Sequence, residues 1–239
     1  MNTLEVFLYE IASIVERVGG AKGIGLLAIL TALTVILPLR FGNGLLDPLL
    51  LLVYSAVAPL LAGNFTAQSF AAEKARSRIV NSDDPAFSLA AGKALAATSW
   101  GFFCWLILMT VPFVALNFSR RQVLLPPATT LLALALLAAS FAWFASALGS
   151  IFATGSAGPS SAQSFVRGII LMPVLLLATM FSITPLALRA ALARSINPEN
   201  LPLTISIASI LLIAAGWLAL RKTASKIEEL RHPLSILES

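Results

Sequence analysis

Runs free of Asp, Glu, Lys and Arg alternate along this chain with short charged clusters. The runs cover residues 23–39, 48–72, 94–119, 122–166, 168–188 and 200–220. A bilayer hydrocarbon core of about 30 Å is crossed by roughly 20 apolar residues in a helix. The run 122–166 is too long for one crossing, and its polar, glycine-rich part, 154–164, reads as a loop. The pattern predicts six transmembrane helices at about 23–39, 48–70, 94–117, 127–153, 168–188 and 201–220, followed by a tail over 221–239. Asp47-Pro48, Asp84-Pro85 and Asn197-Pro198 each set a capping side chain before a proline, the arrangement expected at a helix start.

Residues 1–22 follow a different pattern. Leu4, Phe7, Leu8, Ile11, Ile14, Val15 and Val18 recur at helical spacing, with Glu5, Ser13, Glu16 and Arg17 on much of the other side. This predicts an amphipathic helix lying in the membrane interface, with docking on the protein's own bundle as the alternative. Glu5, Glu10 and Glu16 oppose the positive n-region of a signal peptide, so the segment is not read as one. The expected architecture is therefore all-α and integral to a membrane: one permease domain over 1–239, with six transmembrane helices preceded by an amphipathic interfacial N-terminal helix.

Composition points the same way. Hydrophobic residues make up 58% of the 239 positions and charged residues 11%, against about 25% charged in soluble domains. Mean hydropathy is +0.91. The net charge of +5 follows membrane orientation. With six spans and a cytoplasmic N-terminus, only Arg40, Arg120, Arg121, Arg189 and Arg194 of the 16 basic residues fall outside. That bias predicts both termini in the cytoplasm. No basic run is interleaved with aromatics, so nucleic acid is not an expected partner.

Reactive residue types are scarce. One Cys and one His exclude a zinc site built on several of them. No acid falls near the middle of an expected span, so no proton-carrying carboxylate is expected inside the bundle. His-Glu-x-x-His and the phosphate-binding Gly-x-x-x-x-Gly-Lys-[Ser/Thr] are absent, so the chain is expected to be neither an enzyme nor an ATPase, with no cofactor of its own. Small residues recur every four positions at Ala138, Ala142, Ser146, Ser150 and Thr154. Such a stripe packs helices closely, within the chain or between copies.

The densest charge cluster is Glu73-Lys-Ala-Arg-Ser-Arg78, ahead of Asp83-Asp-Pro85. The run Phe70-Ala-Ala-Glu73-Lys-Ala-Arg76, then Pro85 and Gly92-Lys93-Ala-Leu-Ala-Ala97, resembles the permease subunits of type-2 ABC exporters. The family often has Gly then Thr where this chain has Ser77 and Arg78. The resemblance implies a membrane subunit of a bacterial cytoplasmic-membrane exporter. Such a subunit works by alternating access, as a dimer with itself or a related permease. A separate ABC ATPase holding ATP and Mg drives it. Glu73, Lys74, Arg76, Ser77 and Arg78 would then form a coupling helix in contact with that ATPase, and Lys93 would reach back to lipid headgroups. A secondary carrier or channel without an ATPase, and a non-transporting scaffold, are the other classes the residues allow.

Overall fold

The computed structural model describes residues 2–18, 48–76, 79, 81–120, 128–156, 158–183 and 201–231, with isolated positions between 25 and 32. They form six long helices: α1 (Thr3–Val18), α2 (Pro48–Ala75), α3 (Ala86–Arg120), α4 (Ala128–Gly155), α5 (Pro159–Ile183) and α6 (Leu201–Arg231). Among the described residues there is no strand. Pro48 opens α2, where its missing N–H breaks no helical bond. Asn2 and Glu5 form a reciprocal cap on α1: Asn2 Oδ1 accepts from Glu5 N, and Asn2 N donates to Glu5 Oε2, both at 2.9 Å.

α4 is the central helix, packed against α2, α3, α5 and α6. It can be central because its buried face is small: Ala138, Ala142, Ser146, Ser150 and Thr154 are all buried. The four-residue stripe is thus used in packing within the chain. Thr98 of α3 donates to Ser146 Oγ at 3.3 Å, and Ser150 and Thr223 of α6 share a hydrogen bond at 2.9 Å. The α2–α4 crossing is tightest at a pair of glycines. A Cβ on Gly149 would lie 2.6 Å from Gly63 O, and one on Gly63 would meet Ala145 O at 3.0 Å. Larger side chains would force these backbones apart.

Apolar side chains also cover the outside. Leu203, Ile207, Ile210, Leu211 and Leu218 of α6 and Leu95, Phe103, Leu106 and Val114 of α3 are exposed. So extensive an apolar exterior is costly in water and ordinary in lipid.

The expectation of six spans behind an N-terminal helix is corrected. Among the described residues three helices are long and apolar enough to cross a membrane: Ala86–Val111, Ala128–Gly155 and Pro202–Arg231. The second half of α2 carries Gly63, Asn64, Thr66, Gln68 and Ser69 before Glu73 and Lys74, and α2 packs against three other helices. α5 begins at Pro159, inside the polar stretch expected to be a loop, and holds Arg167. α6 runs on to Arg231, into the stretch expected to be a tail. The expected first span, 23–39, lies almost wholly outside the described residues, as do Asp47, Asn197-Pro198 and the end of the tail.

Candidate functional site

α1 lies against α3. The docked stripe is Val6, Glu10 and Ile14, spaced by four and buried. Gly92 seats it: a Cβ there would lie 2.6 Å from Val6 Cβ and 2.9 Å from Thr3 O. Much of the apolar face foreseen for this helix is turned aside from the seat, leaving Leu4, Leu8 and Val15 exposed. The helix therefore docks on the protein along one stripe and presents an apolar flank along another.

The docked stripe brings a carboxylate to a buried lysine. Lys93, 2% exposed on α3, donates to Glu10 of α1, to Ser69 Oγ of α2 at 2.9 Å and to Glu73 Oε1 of α2 at 2.7 Å. Those three bonds use all three N–H donors of the ammonium. Ser69 in turn donates to Glu10 Oε2 at 3.0 Å, so both Glu10 oxygens are engaged. The Phe70 ring centroid lies 5.6 Å from Lys93 Nζ. Two anions around one cation, joined through a hydroxyl, tie three helices at one point. A buried charge is tolerated when its partners satisfy it, and each member becomes costly if one is removed.

This cluster corrects two expectations. Lys93 was expected to extend toward headgroups; it is buried and paired. No acid was expected inside the bundle; Glu10 is buried at 4% exposure. Lys93 also lies within the first candidate span, Ala86–Val111, where ionisable groups are rare and most often functional. The sequence did carry a signal. Glu10 interrupts the Val6–Ile14 stripe at its midpoint, and Ser69 and Glu73 sit four apart on α2, one turn from each other. Reading Glu10 only as a charge that opposes a signal peptide concealed it.

Beside the cluster is an open cavity of about 370 Å³. Val6, Tyr9 and Glu10 line it from α1, Leu89 and Lys93 from α3, Glu73 from α2, and Arg76, Asn81, Ser82 and Asp84 from the segment between α2 and α3. That segment is held at both ends. Arg231, at the end of α6, donates through Nε to Ile79 O at 3.0 Å and through Nη1 to Asp84 O at 2.7 Å. Ile79 is buried in the core. Lys74 Nζ donates to Thr154 O at 2.7 Å and Ser156 O at 3.2 Å, placing a cation at the carbonyl end of α4.

Of the residues assigned to a partner contact, Glu73 and Lys74 occupy the last turn of α2 and have the internal partners just given. Arg76 follows in a turn, exposed and lining the cavity. Ser77 and Arg78 lie outside the described residues. Between Ala75 and Ala86 the described residues form turns, bends and irregular backbone, not a separate helix. Among the described residues no group of His, Cys, Asp and Glu is arranged to hold a metal ion. Cys104 is buried and unbonded to another cysteine.

No protein-family model matches the chain, and no curated protein or solved structure is significantly similar to it.

Proposed function

We propose that this chain is the membrane-embedded subunit of an ATP-driven exporter, moved by a partner ATPase that engages the segment between α2 and α3. The observation that carries the proposal is the bracing of that segment: Lys74 ties its start to the end of α4, and Arg231 ties its body to the end of α6. A push there is delivered to four helices at once, two of which, α3 and α4, flank the core. Rigid coupling of this kind converts closure of a partner into helix rotation. The run Phe70–Arg76 with Gly92-Lys93, resembling type-2 exporter permeases, supports the same assignment.

The membrane is the bacterial cytoplasmic membrane, and the segment faces the cytoplasm. α1 and the end of α6 both meet the segment or its flanking turns, which supports placing the N-terminal helix and the C-terminal end on that same side. Lys74 and Arg76 lie at it, and Arg221, Lys222 and Lys226 occupy the part of α6 that leads to Arg231, consistent with the positive-inside bias. Translocation uses a dimer with itself or a related permease. The α4 stripe is consumed inside the chain, so the dimer contact draws on other apolar faces.

Arg76 is the residue to change, because it is exposed while Lys74 also holds α4. An ATPase that co-purifies with the wild-type chain and is lost with Arg76→Glu, at unchanged thermal stability, supports the proposal. Equal recovery with both counts against it. A secondary carrier is the second reading, favoured by the Glu10–Lys93–Glu73 cluster, since ion-coupled carriers hold ionisable groups in their interior. Flux in vesicles that follows an imposed ion gradient without ATP, and is lost in Glu10→Gln, would select it.

A further inference from the structure

The cavity beneath α1 has an inner wall with no hydrogen-bonding capacity to spare and an outer rim that has it. Lys93 has donated all three of its N–H groups, and both oxygens of Glu10 are occupied. These groups shape the wall and cannot take a ligand without breaking the cluster. At the rim the position is reversed. Arg76 lines the cavity with a guanidinium that has no hydrogen-bond or ion-pair partner among the described residues. Glu73 spends Oε1 on Lys93, leaving Oε2 of a partly exposed carboxylate facing no described donor. Tyr9 and Asn81 add an uncharged hydroxyl and amide, and Val6 and Leu89 add apolar surface.

With Asp84 already accepting from Ser82 Oγ at 2.9 Å, the unused charged valences among the described lining residues are one cationic fork and one anionic oxygen. A simple anion would satisfy Arg76 and meet Glu73 at a cost. A simple cation would do the reverse. A ligand carrying both an N–H ammonium and an anionic oxygen satisfies both, and arginine takes phosphate or carboxylate by two parallel bonds. The cavity, about 370 Å³, falls within the size range of small-ligand sites. It also opens beside the helix with the exposed Leu4, Leu8 and Val15 and at the start of a candidate span, which is headgroup depth if α1 lies in the interface.

We propose that this cavity binds a zwitterionic ammonium–phosphate group, with the phosphate on Arg76 and the ammonium on Glu73. Phosphoethanolamine is the smallest common form of that chemistry, free in solution or as a lipid headgroup. The proposal concerns the isolated chain and does not depend on a partner ATPase.

The test uses the full chain in phosphatidylglycerol nanodiscs doped with equal phosphatidylethanolamine and phosphatidylcholine, with retained lipid read by native mass spectrometry. Phosphatidylcholine keeps the phosphate but lacks N–H donors, so ethanolamine lipid should be retained about tenfold over choline lipid, the scale of one charge-assisted hydrogen bond. Arg76→Ala should abolish retention of both. Glu73→Gln should remove the preference between them. Arg76 is exposed on a turn, so its variant tests the site even if Glu73→Gln fails to fold. Displacement of the lipid by soluble O-phosphoethanolamine would identify a small solute as the source, and resistance to it would identify the lipid. Equal retention of the two lipids, or retention unchanged by Arg76→Ala, overturns the proposal.

Discussion

Replacing Lys93 by Met tests whether one ion cluster holds α1 in place. Met keeps much of the length and apolar stem but leaves Glu10 and Glu73 facing each other without a cation. At the 2.7 Å between Lys93 Nζ and Glu73 Oε1, the attraction is about 6 kcal/mol for an effective dielectric of about 20. Desolvation offsets much of that, and removing one partner from a buried pair costs about 3–5 kcal/mol. Whole-protein unfolding is not the cheapest response. α1 is the helix whose release returns Glu10 to water, and among its described residues Val6 and Ile14 are the fully buried apolar side chains of its seat. The cost should therefore appear as undocking of α1. A loss of about 3 kcal/mol is roughly a hundredfold fall in amide protection along α1, read by hydrogen exchange in nanodiscs. Protection in the core of α4 should change far less. Removing the charges together, in Lys93→Met with Glu10→Gln and Glu73→Gln, should restore most of the protection, because no unpaired buried charge is left. If α1 exchanges at the wild-type rate in Lys93→Met, the cluster does not hold it.

Three further outcomes follow from the packing and the braces. Gly149→Val drives a branched side chain into Gly63 O and should cost about 1–3 kcal/mol in thermal denaturation, whereas Gly168→Ala, whose added Cβ meets nothing within 4 Å, should be neutral or slightly stabilising. Arg231→Ala frees the carbonyls of Ile79 and Asp84, and limited proteolysis should then cut between α2 and α3 several times faster with little change in overall melting. Lys74→Ala removes the cation from the end of α4 and should cost about 1 kcal/mol, with Lys74→Arg recovering part of it.

The class of the molecule was legible in one dimension because it depends on sums. An 11% charged, strongly apolar chain with helix-length runs leaves few alternatives to a helical membrane protein. Local signals were equally readable: Pro48 as a helix start, the amphipathic period of α1, and the small-residue stripe of α4, whose spacing of four sets every member on one helical face. The number of spans was not legible by counting charge-free runs. Asn64, Thr66 and Ser69 carry no charge, yet they line the part of α2 that turns inward, and only the packing of neighbouring helices distinguishes that from a lipid-facing stretch.

The candidate site depended almost wholly on tertiary structure. Glu10 and Lys93 are 83 residues apart, and a charge pattern read along the chain leaves one in an interfacial helix and sends the other to a headgroup layer. What decided their fate was the close approach of α1 permitted by Gly92, which has no side chain to hold Val6 away. The same holds for Arg231, whose two bonds reach back about 150 positions to a segment it could not be matched with from spacing. Hydropathy is a property each residue carries by itself, so the sequence determined it. Ion pairing at hydrogen-bond distance is a property of two helices docked together, so it waited for the fold.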